Sequence, residues 1–327
     1  MIAEGAEVLA EAVRGDLVEC AYLGHAVLVD VQGRELAAWG NPDEVVFTRS
    51  ANKPFQAMAM LQAGLDVSDE HLAMVTSSHS GEPFHLERVV AMLDSAGLSV
   101  DALRTPPDYP LDRMERRSWL RADRAASSLA MNCSGKHAGM LATCVVNGWP
   151  TDDYRDPGHP LQEHITAQVA AFAGKPVATV SVDGCGAPVL AFPLRTLAQM
   201  VARLLSTGGH GARVVEAMRS YPALIGGTHR DATAFMQAVP GLIAKDGADG
   251  VFIVGWPDGR ALAVKMVDGG DRPRAAVVAT LIGLVSNDPA LLPDWRERPV
   301  LGGGRPVGQL RGAAALSRHL AGMHVST

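Results

Sequence analysis

The chain has 327 residues, 47% of them apolar, enough to bury a large core and too apolar for a disordered tail. Twenty-nine basic and thirty-five acidic residues give a formal net charge of -6, with no block of like charge at either end, which argues against nucleic-acid or polybasic membrane partners. No run of eighteen apolar residues occurs, and the opening MIAEGAEVLAEAVRGD is acidic, so neither a membrane span nor a secretory signal is expected.

Leu17 to Val31 and Glu35 to Gly40 are apolar or β-branched runs split by Gln32-Gly33-Arg34, the pattern of a hairpin. After Val45-Val46-Phe47, the segment Ser50-Ala51-Asn52-Lys53-Pro54 leads into Phe55, Met58, Leu61 and Leu65. Those three- and four-residue intervals predict a helix with Pro54 in its first turn and Gly64 near its end. A second helix is expected from Pro83, carrying Leu86, Val89, Val90 and Leu93 on one face. Residues 101–131, rich in Pro, Arg and Asp, read as an irregular surface excursion.

Asn132-Cys133-Ser134-Gly135-Lys136-His137 opens a helix that Gly148-Trp149-Pro150 closes. Further helices are expected around 160–173, 188–206, 210–219 and 274–286. Val177–Val182 reads as a strand running into Asp183-Gly184-Cys185-Gly186, and Pro257-Asp258-Gly259-Arg260 as the turn of a hairpin formed by residues 250–254 and 261–267. The order is strand pair, many helices, strand pair, helix. Without βαβ alternation or a glycine-rich phosphate motif, the expected fold is α+β. An antiparallel sheet built from both chain ends is flanked by helices, with a helical insertion over about 50–175 inside one unit of residues 1–327.

Four cysteines, Cys20, Cys133, Cys144 and Cys185, are too few and too uneven for a disulfide framework, and a reducing cytoplasm fits. Of the cations only Lys53, Lys136, Lys175, Lys245 and Lys265 are lysines; the other 24 are arginines. An amine in a desolvated pocket can lose its proton and a guanidinium cannot, so each lysine kept in this arginine-rich chain is a candidate for chemistry.

Ser50 and Lys53 stand three residues apart, neighbours on one helix face, where a neutral amine can take the serine proton. The same spacing opens the nucleophile helix of serine β-lactamases, although alone it is also what an exposed helix turn with a solvated lysine looks like. Lys265 interrupts the apolar strand Ala261–Val267 and there needs a counterion, a function or a water-facing side. Ser78-His79 lies in a polar loop that reads as helix capping as readily as catalysis, and no nucleophile elbow supports a Ser-His-Asp triad with Asp183. Cys133, Lys136, His137 and Cys185 offer donors that zinc prefers, in a spacing that matches no standard site. On residue chemistry alone His137 is a better third ligand than Lys136.

Six ordered segments together resemble one family, the L-asparaginases of the Rhizobium etli type. They are Arg49-Ser50-Ala51-Asn52-Lys53-Pro54, Ser77 to Glu82, Asn132 to Met140, Asp183 to Pro188, Gly227 to Thr233, and Val264-Lys265. The resemblance implies a fold similar to serine β-lactamases and glutaminases, and hydrolysis of L-asparagine to L-aspartate and ammonia through two pairs, Ser50 with Lys53 and Ser78 with Lys265. It further implies a zinc ion on Cys133, Lys136 and Cys185 that tunes affinity without performing the hydrolysis, and a homodimer. Arg49 or Lys265 would take the substrate α-carboxylate, and Asn132, His137 and Asp183 complete the substrate side. Gly186-Ala187 and Gly302-Gly303-Gly304 depart from the more polar residues of relatives. Glutamine, β-aspartyl or β-lactam-type amides stay open as substrates, as does a zinc-holding regulatory protein without turnover.

Overall fold

The computed structural model describes residues 2–320. Within them the strands, in chain order, are β1 (Glu7–Arg14), β2 (Leu17–Val29), β3 (Glu35–Trp39), β4 (Val45–Phe47), β5 (Thr179–Val182), β6 (Pro188–Pro193), β7 (Ile243–Asp246), β8 (Val251–Gly255), β9 (Ala261–Met266), β10 (Glu297–Gly302) and β11 (Arg305–Gly312). The chain divides into two compact units. One holds Met1–Ala51, Phe192–Arg203 and Ala238–Thr327, and the other Asn52–Ala191 and Leu204–Gln237.

The first unit is built on an antiparallel sheet in the order β10-β11-β1-β2-β9-β8-β7, with β3 paired to β2. Strand β2 is long enough for β1 to occupy its first half and β3 its second, while β9 runs along Gly24 to Val29. Residues of β7, β8 and β9 are buried throughout, so these strands read as continuous apolar runs rather than alternating ones. The helix Asp271–Val285 supplies much of the covering apolar surface.

The second unit is mostly helical. The helix Lys53–Gln62 follows a single 3₁₀ turn, Arg49–Asn52, at the place expected from Pro54. The helix Ser134–Asn147 ends on Gly148 at φ +65°, the left-handed cap that glycine permits. Gly135 and Gly139 on that helix allow a close approach to the helix Asp69–Thr76: a Cβ on Gly135 would lie 2.4 Å from the Met74 carbonyl oxygen, and one on Gly139 would lie 2.6 Å from Val75. This contact sets the height of Cys133, Lys136 and His137 against Ser77 and Ser78.

Several expectations need correction. The helix expected over 188–206 begins at Leu194; Pro188–Pro193 are strand β6, paired with β5. A continuous apolar run does not by itself distinguish strand from helix. The stretch 101–131 contains the helix Arg113–Arg121, capped by Asp112, whose carboxylate accepts from the Met114 and Glu115 amides. Strands β1, β10 and β11 were not anticipated, and Gly303 and Gly304, at φ +57° and +78°, form the turn between the last two. Among the described residues no helix is long and apolar enough to cross a membrane.

Gly135→Ala tests the helix approach. The added methyl gains helix propensity but meets a backbone carbonyl, so stability should fall by about 1–3 kcal/mol in denaturant titration.

Candidate active site

Four of the five lysines are buried: Lys53, Lys136, Lys245 and Lys265. Each has hydrogen-bond partners, which burial of a charge or an amine demands.

In the helical unit, Lys53 is the first residue of its helix and 1% exposed. Its amine donates to Ser78 Oγ at 3.1 Å, to Cys133 Sγ at 3.2 Å and to the Ser77 carbonyl. Ser78 follows the helix Asp69–Thr76 and is held by its amide, which donates to the Ile225 carbonyl at 2.9 Å. The lysine expected to serve the hydroxyl of Ser50 therefore binds that of Ser78.

The three expected metal donors come together in the same unit. Lys136 Nζ lies 3.3 Å from Cys185 Sγ, and Cys133 and Cys185 share a hydrogen bond. Cys185 stands at the tip of the turn between β5 and β6, fixed by the Asp183 amide donating to the Ala187 carbonyl at 2.9 Å. Cys133 Sγ also lies 3.3 Å from Asn132 Oδ1. The bond from Cys133 and the charge of Lys136 outweigh burial and hold the Cys185 thiol well below its usual range. Its Cys133 partner is pushed up by that bond and by burial. Burial works against the Lys136 ammonium, but Cys185, Cys133 and Asp183 together raise it. Two thiols and an amine gathered in one buried cluster suit a borderline-soft cation such as zinc, with both bound protons lost on coordination. Among the described residues no set of three or more His, Cys, Asp or Glu side chains offers another such site.

His137 is oriented away from this role. Its Nδ1 lies 2.7 Å from the Tyr154 hydroxyl, which also accepts from the Arg104 amide at 3.1 Å. Nε2 is buried and without a hydrogen-bond partner, and is the protonated nitrogen in the tautomer where Tyr154 donates to Nδ1. Burial, then Lys136, drives the imidazole pKa well down. His79 is equally settled: Gly81 N–H donates to its Nδ1 at 3.2 Å, and its Nε2–H donates to Ser134 Oγ at 2.8 Å. Burial, reinforced by His85 and Lys53, keeps it neutral. That ring supports a turn and is not the base of a triad.

In the sheet unit, Ser50 is buried within the 3₁₀ turn. Arg49, just before it, has φ +48°, rare for a residue with a Cβ. Its guanidinium is ion-paired with Asp249, in the loop between β7 and β8, and Asp249 itself has φ +54°. The Lys265 amine, on β9, donates to the Asp249 main-chain carbonyl. The loop lies close on the turn: a Cβ on Gly247 would be 3.2 Å from the Thr48 carbonyl oxygen and 3.3 Å from the Ala51 amide. Arg274 donates to the Gly247 carbonyl at 2.9 Å, and Lys245 to Asp246 Oδ1 at 2.5 Å. Burial, then Arg49, lowers the Lys265 pKa, with Asp268 opposing. Asp249 and Tyr154 escaped sequence reading; the only trace of the first was an Asp-Gly pair between two apolar strands.

These parts belong to a hydrolase. The chain belongs to the L-asparaginase II family, whose model matches residues 10–312. Comparison with curated proteins gives no match. Solved structures similar to this chain include a β-lactamase from Mycobacterium bovis (16% identity, 76% of this chain and 88% of that one, TM-score 0.43). EstCE1, a hydrolase with promiscuous acyltransferase activity, is 14% identical over 81% of this chain and 91% of its own, with a TM-score of 0.40.

The lowered Lys265 pKa has a thermodynamic consequence. Between its folded value and about 10.4, the unfolded chain binds the proton that the folded chain has lost, so stability rises with pH there. Lys265→Met should lack that rise, measured by urea denaturation of both proteins from pH 7.5 to 10.

Proposed function

We propose that this protein hydrolyses L-asparagine to L-aspartate and ammonia through an acyl-enzyme on Ser50. The observation that carries the reading is the Lys53 amine, buried at the start of its helix three residues after Ser50 and hydrogen-bonded to a second serine hydroxyl. That arrangement, in a chain of the L-asparaginase II family, supports a reading in which a lysine in its neutral form takes a serine proton and returns it to the leaving ammonia.

Ser50 Oγ attacks the side-chain carboxamide carbon while its proton passes to neutral Lys53, or to Lys265 acting through Ser78. The tetrahedral adduct expels ammonia as lysine returns the proton, leaving an ester on Ser50. Water then cleaves the ester, giving aspartate and regenerating the hydroxyl. Ser78 and Lys265 form the second pair of this reading, and the depressed Lys265 pKa suits a base. Arg49 receives the substrate α-carboxylate, while Asp183 and Asn132 take the α-ammonium and His137 donates through Nε2–H, because a free amino acid must be recognised at both charges.

Cys133, Lys136 and Cys185 would hold zinc, which when bound neutralises the thiolate charge and fixes these side chains, tuning substrate affinity. A cytoplasmic homodimer completes the proposal.

Ammonia release from L-asparagine, L-glutamine and β-aspartyl dipeptides is the direct assay. Asparagine should be the best substrate, and Ser50→Ala should lower kcat at least about a thousandfold; equal rates in the two proteins would end the hydrolase reading. Independently, metal analysis should find about one zinc per chain in the wild type and none in Cys185→Ala.

A further inference from the structure

Asp249 does two separable things. Its main-chain carbonyl accepts from Lys265, and its carboxylate pairs with Arg49. The Asp249 side chain is 65% exposed, whereas that of Arg49 is 21% exposed. The neighbouring pair Lys245–Asp246 is different, at 0% and 8% exposure. A buried pair is a fixture, because parting it strands a charge away from water. An exposed carboxylate can withdraw into solvent with little loss and give up its place on the guanidinium to another anion. Both Arg49 and Asp249 also hold positive φ values, the kind of strain that persists only where surrounding structure enforces it and that gathers at functional sites.

We infer that the Asp249 carboxylate is a placeholder on Arg49, occupying the guanidinium until the α-carboxylate of the amino-acid substrate displaces it, and so sets how tightly that substrate binds. This rests on the reading of Arg49 as the receiver of the α-carboxylate. Asp249 touches no reacting atom; it acts through Arg49. The substrate class it governs is amides that carry a free carboxylate, since only these compete for the same guanidinium.

Asparagine is the conservative replacement, because it keeps the shape, tolerates positive φ and leaves the main-chain carbonyl for Lys265. In Asp249→Asn the competitor is gone, and KM for L-asparagine should fall about three- to tenfold while kcat moves by less than about twofold, as expected when a binding-competent fraction rises toward one. L-Aspartic diamide, which lacks the α-carboxylate, should show no such fall. An unchanged or raised KM for asparagine, or an equal fall for the diamide, overturns the inference. Asp249→Gly, equally suited to the backbone, replaces the asparagine variant if that protein does not fold. If wild type releases no ammonia from asparagine, the hydrolase reading fails by itself. Calorimetric titration with L-aspartate then decides the present point: tighter binding by Asp249→Asn supports it, and equal affinity or no binding by either protein overturns it.

Discussion

An amine taken out of water must be answered, and much of this molecule is arranged around four such amines. Leaving a single buried charge uncompensated costs several kcal/mol, a large share of the stability of any domain. The lysines are answered in different ways. Lys245 has a carboxylate beside it, Lys136 a thiolate, Lys265 a backbone carbonyl, and Lys53 a hydroxyl, a thiol and a carbonyl. Only the first two partners bring a negative charge. The other two lysines give their hydrogen bonds to neutral acceptors. The buried amines therefore fall into two kinds, two beside anions and two beside neutral hydrogen-bond acceptors.

The cysteines take part in this division. Cys133 lies between the two kinds of lysine, accepting from Lys53 while sharing a hydrogen bond with Cys185, which carries the negative charge beside Lys136. Any event that changes the charge on the sulfur pair, metal binding included, changes the field at Lys53 through a single intervening atom. Cys144, on an apolar helix face, has no such role; burial lifts its thiol to about 12, as for a small hydrophobe.

Much of the fold was readable because its elements carry local punctuation. Pro54, Gly148 and the Pro257–Arg260 turn stand at element boundaries, and the retained lysines were visible as exceptions in an arginine-rich chain. What could not be read depends on distant partners. The residues Glu7–Arg14 are mostly good helix formers (Glu, Leu, Ala and Arg, with two Val) and become strand β1 through pairing with β2 and β11. The bond from Lys53 to Ser78 escaped the sequence for a related reason: helix spacing describes neighbours on one helix, whereas this hydroxyl arrives from the end of another. The pairing of Arg49 with Asp249 joins residues 200 positions apart, each in a backbone conformation that its residue type does not announce. The helix Arg113–Arg121, by contrast, was announced by Asp112 and Glu115 at capping-box spacing and was overlooked amid prolines and charge.

Strand β1 pairs through Ala10–Arg14 with Gly308–Gly312 of β11. During synthesis, the edge of β1 that β11 will cover leaves the ribosome long before its partner does, with the whole of Asn52–Ala191 made in between. Asn52–Ala191, the larger part of the helical unit, is contiguous and emerges in between, free to collapse on its own helices at modest loop-closure cost. The sheet must wait, its first hairpin exposing an open β-edge to other nascent chains until the last strands are made. Translation thus imposes an order of assembly, with the helices first and the seam between β1 and β11 after them.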